Sequence, residues 1–331
     1  VLKSSNKTTY NGNYGLNAQW TVYNGSKRLK TIEQEKLNNR VADLDVATSE
    51  NDIEQSIAQV YIQILYAAES VKVNENTLQV SEAQRDRGKQ LLDAGSIARS
   101  DYAQLEAQVS TDRYQLVTAQ ATLQDYKLQL KQLLELDGEQ EMQVYLPALG
   151  DENVLSPLPT KTDVFRSAVA LRPEIEASKL SVEASELGIG IAKSGYLPSV
   201  SLTAGIGTNH TSGSDFTFGE QVKNGWNNSI GLSISVPIFN NRQTKSAVEK
   251  AKLQYQTSQL TLLDEQKTLY KTIEGLWLDA NSAQQRYAAA NEKLKSTQIS
   301  YDLISEQFNL GMKNTVELLT EKNNLLQAQQ E

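Results

Sequence analysis

Tyr14-Gly15-Leu16-Asn17-Ala18-Gln19-Trp20-Thr21-Val22-Tyr23-Asn24 alternates in hydrophobicity, and the pattern returns as Ile230-Gly231-Leu232-Ser233-Ile234-Ser235-Val236-Pro237-Ile238-Phe239-Asn240. In the first copy Tyr14, Leu16, Ala18, Trp20 and Val22 share one parity, and Gly15, Asn17, Gln19, Thr21 and Tyr23 the other. Successive side chains of a strand point to opposite faces, so each run predicts a strand with one apolar and one polar face. Ser199–Gly207 is a third such run, with Val200, Leu202, Ala204 and Ile206 opposing Ser199, Ser201, Thr203 and Gly205. Strands are expected over Tyr14–Tyr23, Ser199–Gly207 and Asn228–Ile238. Each is about nine to eleven residues, the length a tilted strand needs to cross a bilayer.

The correspondence runs far past the strands. Tyr14–Asp101 and Ile230–Glu317 align without a gap: Glu33, Lys36 and Leu37 fall on Glu249, Lys252 and Leu253, Ile57 on Ile273, and Gly95 on Gly311. Each half reads strand, very long helix, glycine turn, and a duplicated unit of that kind narrows the fold more than any single residue does.

Two features set these strands apart from a soluble sandwich, where the polar face is solvated. Their polar faces carry small uncharged Ser, Thr, Asn, Gln and Gly rather than Lys and Glu, as a water-filled lumen would. Aromatic residues gather near the strand ends (Tyr10, Tyr14, Trp20, Tyr23, Tyr196, Trp226 and Phe239), as interfacial girdles do. Closing a barrel takes about eight strands, so three or four from one chain require several copies, and a homo-oligomer follows.

From Asn240 to Asn309 there is no proline, and an apolar stripe keeps a four-three spacing through Leu269, Ile273, Leu276, Ala280, Ala283, Tyr287, Ala290, Leu294, Thr297, Tyr301, Ile304 and Phe308. Such a helix is a rod on the order of 100 Å long. Gly25 to Asp93 is its counterpart, and after Gly95 a shorter helix returns through Tyr102, Leu105, Val109, Asp112, Leu116 and on to Leu133. A seven-residue apolar repeat predicts left-handed coiled-coil packing, and turns at Gly95 and Gly311 make antiparallel hairpins. Positions off the stripe are rich in Gln, Asn, Ser and Ala. They suit either an internal water column or, more simply, a solvated coiled-coil exterior.

The middle segment, 137–173, interrupts the pattern with Pro147, Pro157, Pro159 and Pro173, an alternating piece at Met142, Val144 and Leu146, and a short helix near Asp163–Leu171. Another helix, Glu174–Lys193, leads into the second strand, and its Gly188 and Gly190 lie mid-helix with no preceding strand, unlike a phosphate loop. Thr208–Gly225 reads as an exposed connection whose His210, the single histidine, is solvated.

Composition removes other classes. The chain has 331 residues, no cysteine and a formal charge of −8 with no basic stripe, so disulfides, thiolate chemistry and nucleic-acid binding drop out. No apolar run reaches about 18 residues, so no transmembrane helix is expected. No carboxylate pair, histidine-based triad or metal cluster stands out, so neither an enzyme nor a cofactor is expected. If the repeat holds, counterparts of Asp163–Phe216 and Leu116–Leu136 are missing at the two ends, which suggests a trimmed chain.

Leu171-Arg172-Pro173-Glu174-Ile175, the helix end Ala192-Lys193-Ser194-Gly195-Tyr196-Leu197-Pro198-Ser199, and Val236-Pro237-Ile238-Phe239-Asn240 opening a long helix resemble the TolC-like outer membrane efflux protein family over nearly the whole chain. The resemblance implies a mainly α fold with membrane β: a homotrimer whose twelve-stranded outer-membrane β-barrel, four strands per protomer, continues into an α-helical barrel across the periplasm. On that plan 1–24 and 199–238 supply barrel strands and extracellular loops, 25–136, 174–198 and 239–331 the helical barrel, and 137–173 an equatorial mixed segment.

The same resemblance implies a periplasmic tip closed by an acidic ring and by links between hairpins. The ring acid falls on Glu317, and a second acid one turn later falls on Thr320. The basic latch residue falls on Lys313, its acceptors on Ser100 and Asp101, and a tyrosine latch on Phe308, which lacks the hydroxyl. Glu317 and Asp101 also lie just past turns, where acids commonly stabilise a helix start. The implied function is a passive exit channel of a tripartite efflux or secretion system in the outer membrane of a Gram-negative bacterium, in contact with lipid. A periplasmic adaptor (membrane fusion protein) and an inner-membrane pump would open it. A periplasmic coiled-coil adaptor is the alternative: it accounts for the hairpins and leaves the strand faces unexplained.

Overall fold

The computed structural model describes residues 8–137, 142–147 and 154–331. The element order is β1 (Asn11–Asn24), α1 (Lys27–Asp93), α2 (Arg99–Leu133), α3 (Lys161–Leu171), α4 (Pro173–Lys193), a 3-10 turn (Ser194–Tyr196), β2 (Ser199–Thr211), α5 (Phe218–Asn224), β3 (Asn227–Ser235), α6 (Gln243–Asn309) and α7 (Thr315–Gln330). Contacts divide the chain into two compact units, Val1–Val46 with Val169–Thr268 and Ala47–Ala168 with Leu269–Glu331. Each of the long helices α1 and α6, both 67 residues, contributes to both units.

The first unit holds an antiparallel sheet in the order β1-β2-β3. Its register stacks like on like. Leu16 sits opposite Ile206, Ala18 opposite Ala204 and Trp20 opposite Leu202. Across the other side of β2, Leu202 faces Leu232, Ala204 faces Ile230 and Val200 faces Ile234. Because the side-chain period is two, this register unites the three apolar rows into one face. The reverse face pairs Gly15 with Gly207, Asn17 with Gly205 and Gln19 with Thr203, then Thr203 with Gly231 and Ser201 with Ser233.

Sharp turns carry the outer strands into the long helices. Gly25 (φ 65°) and Ser26 (φ 62°) precede α1, and Asn241 (φ 50°) and Arg242 (φ 62°) precede α6. A Cβ on Gly25 would stand 2.8 Å from Leu197 Cβ and 2.9 Å from the Ser194 carbonyl oxygen, so space as well as φ demands glycine there. Asn241 tolerates the left-handed region through its short polar side chain. Helix α4 buries Ile175, Ala177, Leu180 and Ala184, and the Gln34 amide nitrogen donates to the Ala184 carbonyl at 2.7 Å. Gly188 and Gly190 lie within α4, and a Cβ on Gly190 would meet the Lys30 side chain at 2.9 Å.

In the second unit Leu105, Phe308 and Leu318 form a buried cluster, with Leu91, Tyr301, Ile304 and Leu319 packed around it. The segment before α3 is strapped to α6. Trp277 Nε1 donates to the Pro159 carbonyl at 3.0 Å, and Gln284 Nε2 to the Val154 and Ser156 carbonyls at 2.8 Å each. Lys161 pairs with Glu274 at 2.9 Å, and the Phe165 and Tyr270 rings meet edge-on at 5.3 Å.

Several sequence expectations are corrected. Residues 142–147, which include Met142, Val144 and Leu146, lie in neither helix nor strand, and 138–141 and 148–153 lie outside the described residues. Strand β3 stops at Ser235, because Pro237 lacks the N–H a ladder needs. Strand β2 runs on to Thr211, so His210 is a strand residue opposite Gly12 rather than a loop residue, with its ring 5.0 Å from that of Phe218. The expected loop contains α5, closed at its start by a reciprocal cap: the Glu220 N–H donates to Thr217 Oγ1 at 3.4 Å and the Thr217 N–H donates to Glu220 Oε2 at 2.8 Å.

Candidate functional site at the helix turns

The α1–α2 and α6–α7 connections share one backbone design within the second unit. Gly95 and Gly311 adopt φ of 73° and 76°. The Gly95 N–H donates to the Leu92 carbonyl at 2.9 Å and Ser96 to Leu91 at 2.8 Å; Gly311 to Phe308 at 2.9 Å and Met312 to Gln307 at 2.8 Å repeat the arrangement. These are Schellman turns, in which a left-handed glycine lets the chain satisfy the last carbonyls of a helix.

The helix starts that follow differ. At α7, Asn314 Oδ1 accepts from the Glu317 N–H at 2.9 Å and Glu317 Oε2 accepts from the Asn314 N–H at 3.2 Å. Lys313 adds a 2.6 Å ion pair to Glu317 Oε1. The Lys313 bond, then the Asn314 N–H, hold the Glu317 carboxyl below the usual carboxylate range. At α2 only half of this exists. The Asp101 carboxylate accepts from the Ala98 N–H at 3.3 Å, and Ala98 has no side-chain oxygen to return the bond.

Of the residues expected at a gate, the structure brings Lys313 and Glu317 together within one hairpin. Among the described residues no ion pair joins Lys313 to Asp101 in the single chain. Ser100 is exposed in the first turn of α2. Phe308 is 3% exposed and packs with Leu105 and Leu318, so it serves as an apolar anchor between α6, α2 and α7.

Sequence reasoning missed a second cluster just below. Lys322 of α7 reaches Asp112 Oδ2 of α2 and Ser81 Oγ of α1, and Ser81 Oγ also donates to Asp112 Oδ2. Gln108 Nε2 donates to the remaining oxygen, Oδ1, at 2.9 Å. Lys322 is 4% exposed and Asp112 0%, whereas every other ion pair among the described residues has side chains more than 30% exposed. Burial pushes the Lys322 ammonium below its ordinary value, opposed by the hydrogen bond and charge of Asp112. The available signal was Asp112 itself, a charged residue occupying an apolar stripe position between Val109 and Leu116.

With this geometry in place, a family model for outer membrane efflux proteins matches residues 2–135 and 164–331. The chain belongs to that family, and its place is the outer membrane of a Gram-negative cell. Outer membrane efflux protein BepC of Brucella suis biovar 1 is 25% identical over 282 residues, covering 85% of this chain and 59% of BepC. Outer membrane protein TolC of Escherichia coli K12 is 25% identical over 324 residues, covering 94% of this chain and 63% of TolC. A crystal structure of CusC superposes with a TM-score of 0.81 at 21% identity, over 99% of this chain and 75% of that one, which shows a shared fold. The chain thus spans about three-fifths of the length of these curated relatives.

Proposed function

We propose that this chain is the protomer of a passive, homotrimeric exit channel of a tripartite efflux or secretion system, opened at its periplasmic tip when an adaptor and an inner-membrane pump dock. The observation that carries the proposal is the sheet. Its apolar face is left open, with Leu16 72%, Trp20 62%, Ile230 84% and Leu232 66% exposed, while the opposite face is built from Gly, Ser, Thr, Asn and Gln. A soluble protein buries such a face; a channel wall turns it to lipid and keeps the small polar face to water. The coiled-coil adaptor reading leaves that face without a partner.

Strand count supports assembly. A three-stranded sheet cannot close, and β1 and β3 each keep an edge without a partner strand among the described residues. The equal lengths of α1 and α6, and the left-handed residues at matching places before each, support a duplicated strand-helix-turn unit as the building block of that wall. Exposed Leu253, Leu260, Leu276 and Leu278 on α6 support helix packing between copies. Three copies would bring three Glu317 carboxylates to one level, with Lys313 beside each and Ser100 and Asp101 on the neighbouring hairpin as acceptors. Such a ring favours cations. No catalytic step is assigned to any residue. The test is conductance of the full-length protein in planar bilayers: discrete channels from a cross-linkable trimer support the proposal, and a non-conducting soluble monomer refutes it.

A further inference from the structure

The Lys322–Asp112–Ser81 cluster ties three helices, α7, α2 and α1, at one point within the second unit. It lies five residues beyond Glu317, roughly 7.5 Å further along α7. Between the two levels Leu318 is wholly buried against Leu105 and Phe308. Helix α7 is therefore held to its neighbours by an oily contact above and a charged one below.

These contacts respond oppositely to water. Parting Leu318 from Leu105 exposes apolar surface, which costs free energy in proportion to area. Parting Lys322 from Asp112 exposes two ions that water solvates well. The Coulomb attraction lost is largely returned as hydration, which is why a buried ion pair holds a joint no better than apolar side chains of similar size. Removing one partner alone is different, because it strands a charge in a dry site. Gln108 and Ser81 already supply the polar neighbours along which entering water can bridge.

We infer that Lys322, Asp112 and Ser81 form a wettable seam, a charged joint that lets α7 part from α1 and α2 as water enters and that closes again when water leaves. This rests on the channel reading above, in which the hairpins must separate to open the tip. The seam makes a prediction contrary to a simple lock. Replacing both charges by apolar side chains tightens the joint, and replacing one loosens it.

The experiment uses the full-length protein and two variants, Lys322→Met with Asp112→Leu, and Lys322→Met alone. Amide exchange over α7 reads the joint without relying on conduction, and bilayer recording reads opening. For the double variant the expected result is exchange slowed about tenfold with a lower open probability; for the single variant, exchange speeded by about a hundredfold or more with a raised leak. Exchange in the double variant that matches or exceeds that of the unsubstituted protein overturns the seam. Absence of conductance from the unsubstituted protein would instead refute the channel reading, while the exchange order still decides the seam.

Discussion

In the sheet, one face is a row of exposed apolar side chains and the other a row of small polar ones; in the helical unit around α7, a lysine and an aspartate are buried together. Each inverts the usual partition of a soluble protein, and for different reasons. The sheet inversion involves whole rows in register and points to a lipid surrounding. The helical inversion involves one pair with both carboxylate oxygens and the ammonium hydrogen-bonded, and points to a joint between helices.

The largest effect is expected where the buried pair is broken on one side. Lys322→Met should lower stability by about 3–5 kcal/mol, because Asp112 keeps its burial and loses its counter-charge. Urea titration of the folded protein measures it, and a loss under about 1 kcal/mol would mean the site is wetter than the structure shows.

Next comes the sheet. Leu232→Lys should reduce membrane-inserted stability by about 2–4 kcal/mol, whereas Ser233→Lys, one residue along on the other face, should cost much less. Equal penalties in a vesicle-refolding assay would erase the distinction between the faces. At the turns, Asn314→Ala should cost about 1 kcal/mol through loss of the α7 cap, and Ala98→Asn should stabilise α2 by a similar amount if the two turns are the equivalent structures their hydrogen bonds indicate.

The smallest effects concern charge at the tip. Glu317→Gln should leave stability nearly unchanged yet lower cation selectivity in bilayers. The Glu317 carboxyl is held below its ordinary value, so its charge, and with it the cation preference, persists through the ordinary carboxylate range and fades only as pH falls through the lowered native value. Lys313→Met removes the main cause and should shift that loss to higher pH, as followed by selectivity against pH.

The strand faces and the long helices were legible because both depend on periodicity, which a sequence displays directly. Tyr14–Tyr23 and Ser199–Gly207 sit inside observed strands, and Gly95 and Gly311 sit at observed left-handed turns. The Thr217-to-Glu220 cap of α5 is also written in the sequence, but the helix itself is hidden there, because seven residues are too few for a helical period to show. Strand β3 ends short of Ile238 for a local reason, the proline at 237, that the alternation concealed. Lys322 was not legible from its own neighbourhood. A lone lysine on a helix ordinarily snorkels to water, and its burial depends on Asp112 and Ser81 from helices remote in sequence. The Lys313–Glu317 pair, four residues apart on one hairpin, follows from spacing alone, although the resemblance directs attention to Ser100 and Asp101.

The central claim is that one face of the sheet meets lipid and the other lines water in an assembled wall. The chain has no cysteine, so single cysteines report cleanly on each face. With cysteine in place of Thr203 or Ser233 on one face, and of Leu202 or Leu232 on the other, a water-soluble charged thiol reagent is applied to open channels in a bilayer. The account predicts that current falls for Thr203→Cys and Ser233→Cys and is untouched for Leu202→Cys and Leu232→Cys; block from the apolar face, or from both faces alike, would contradict it.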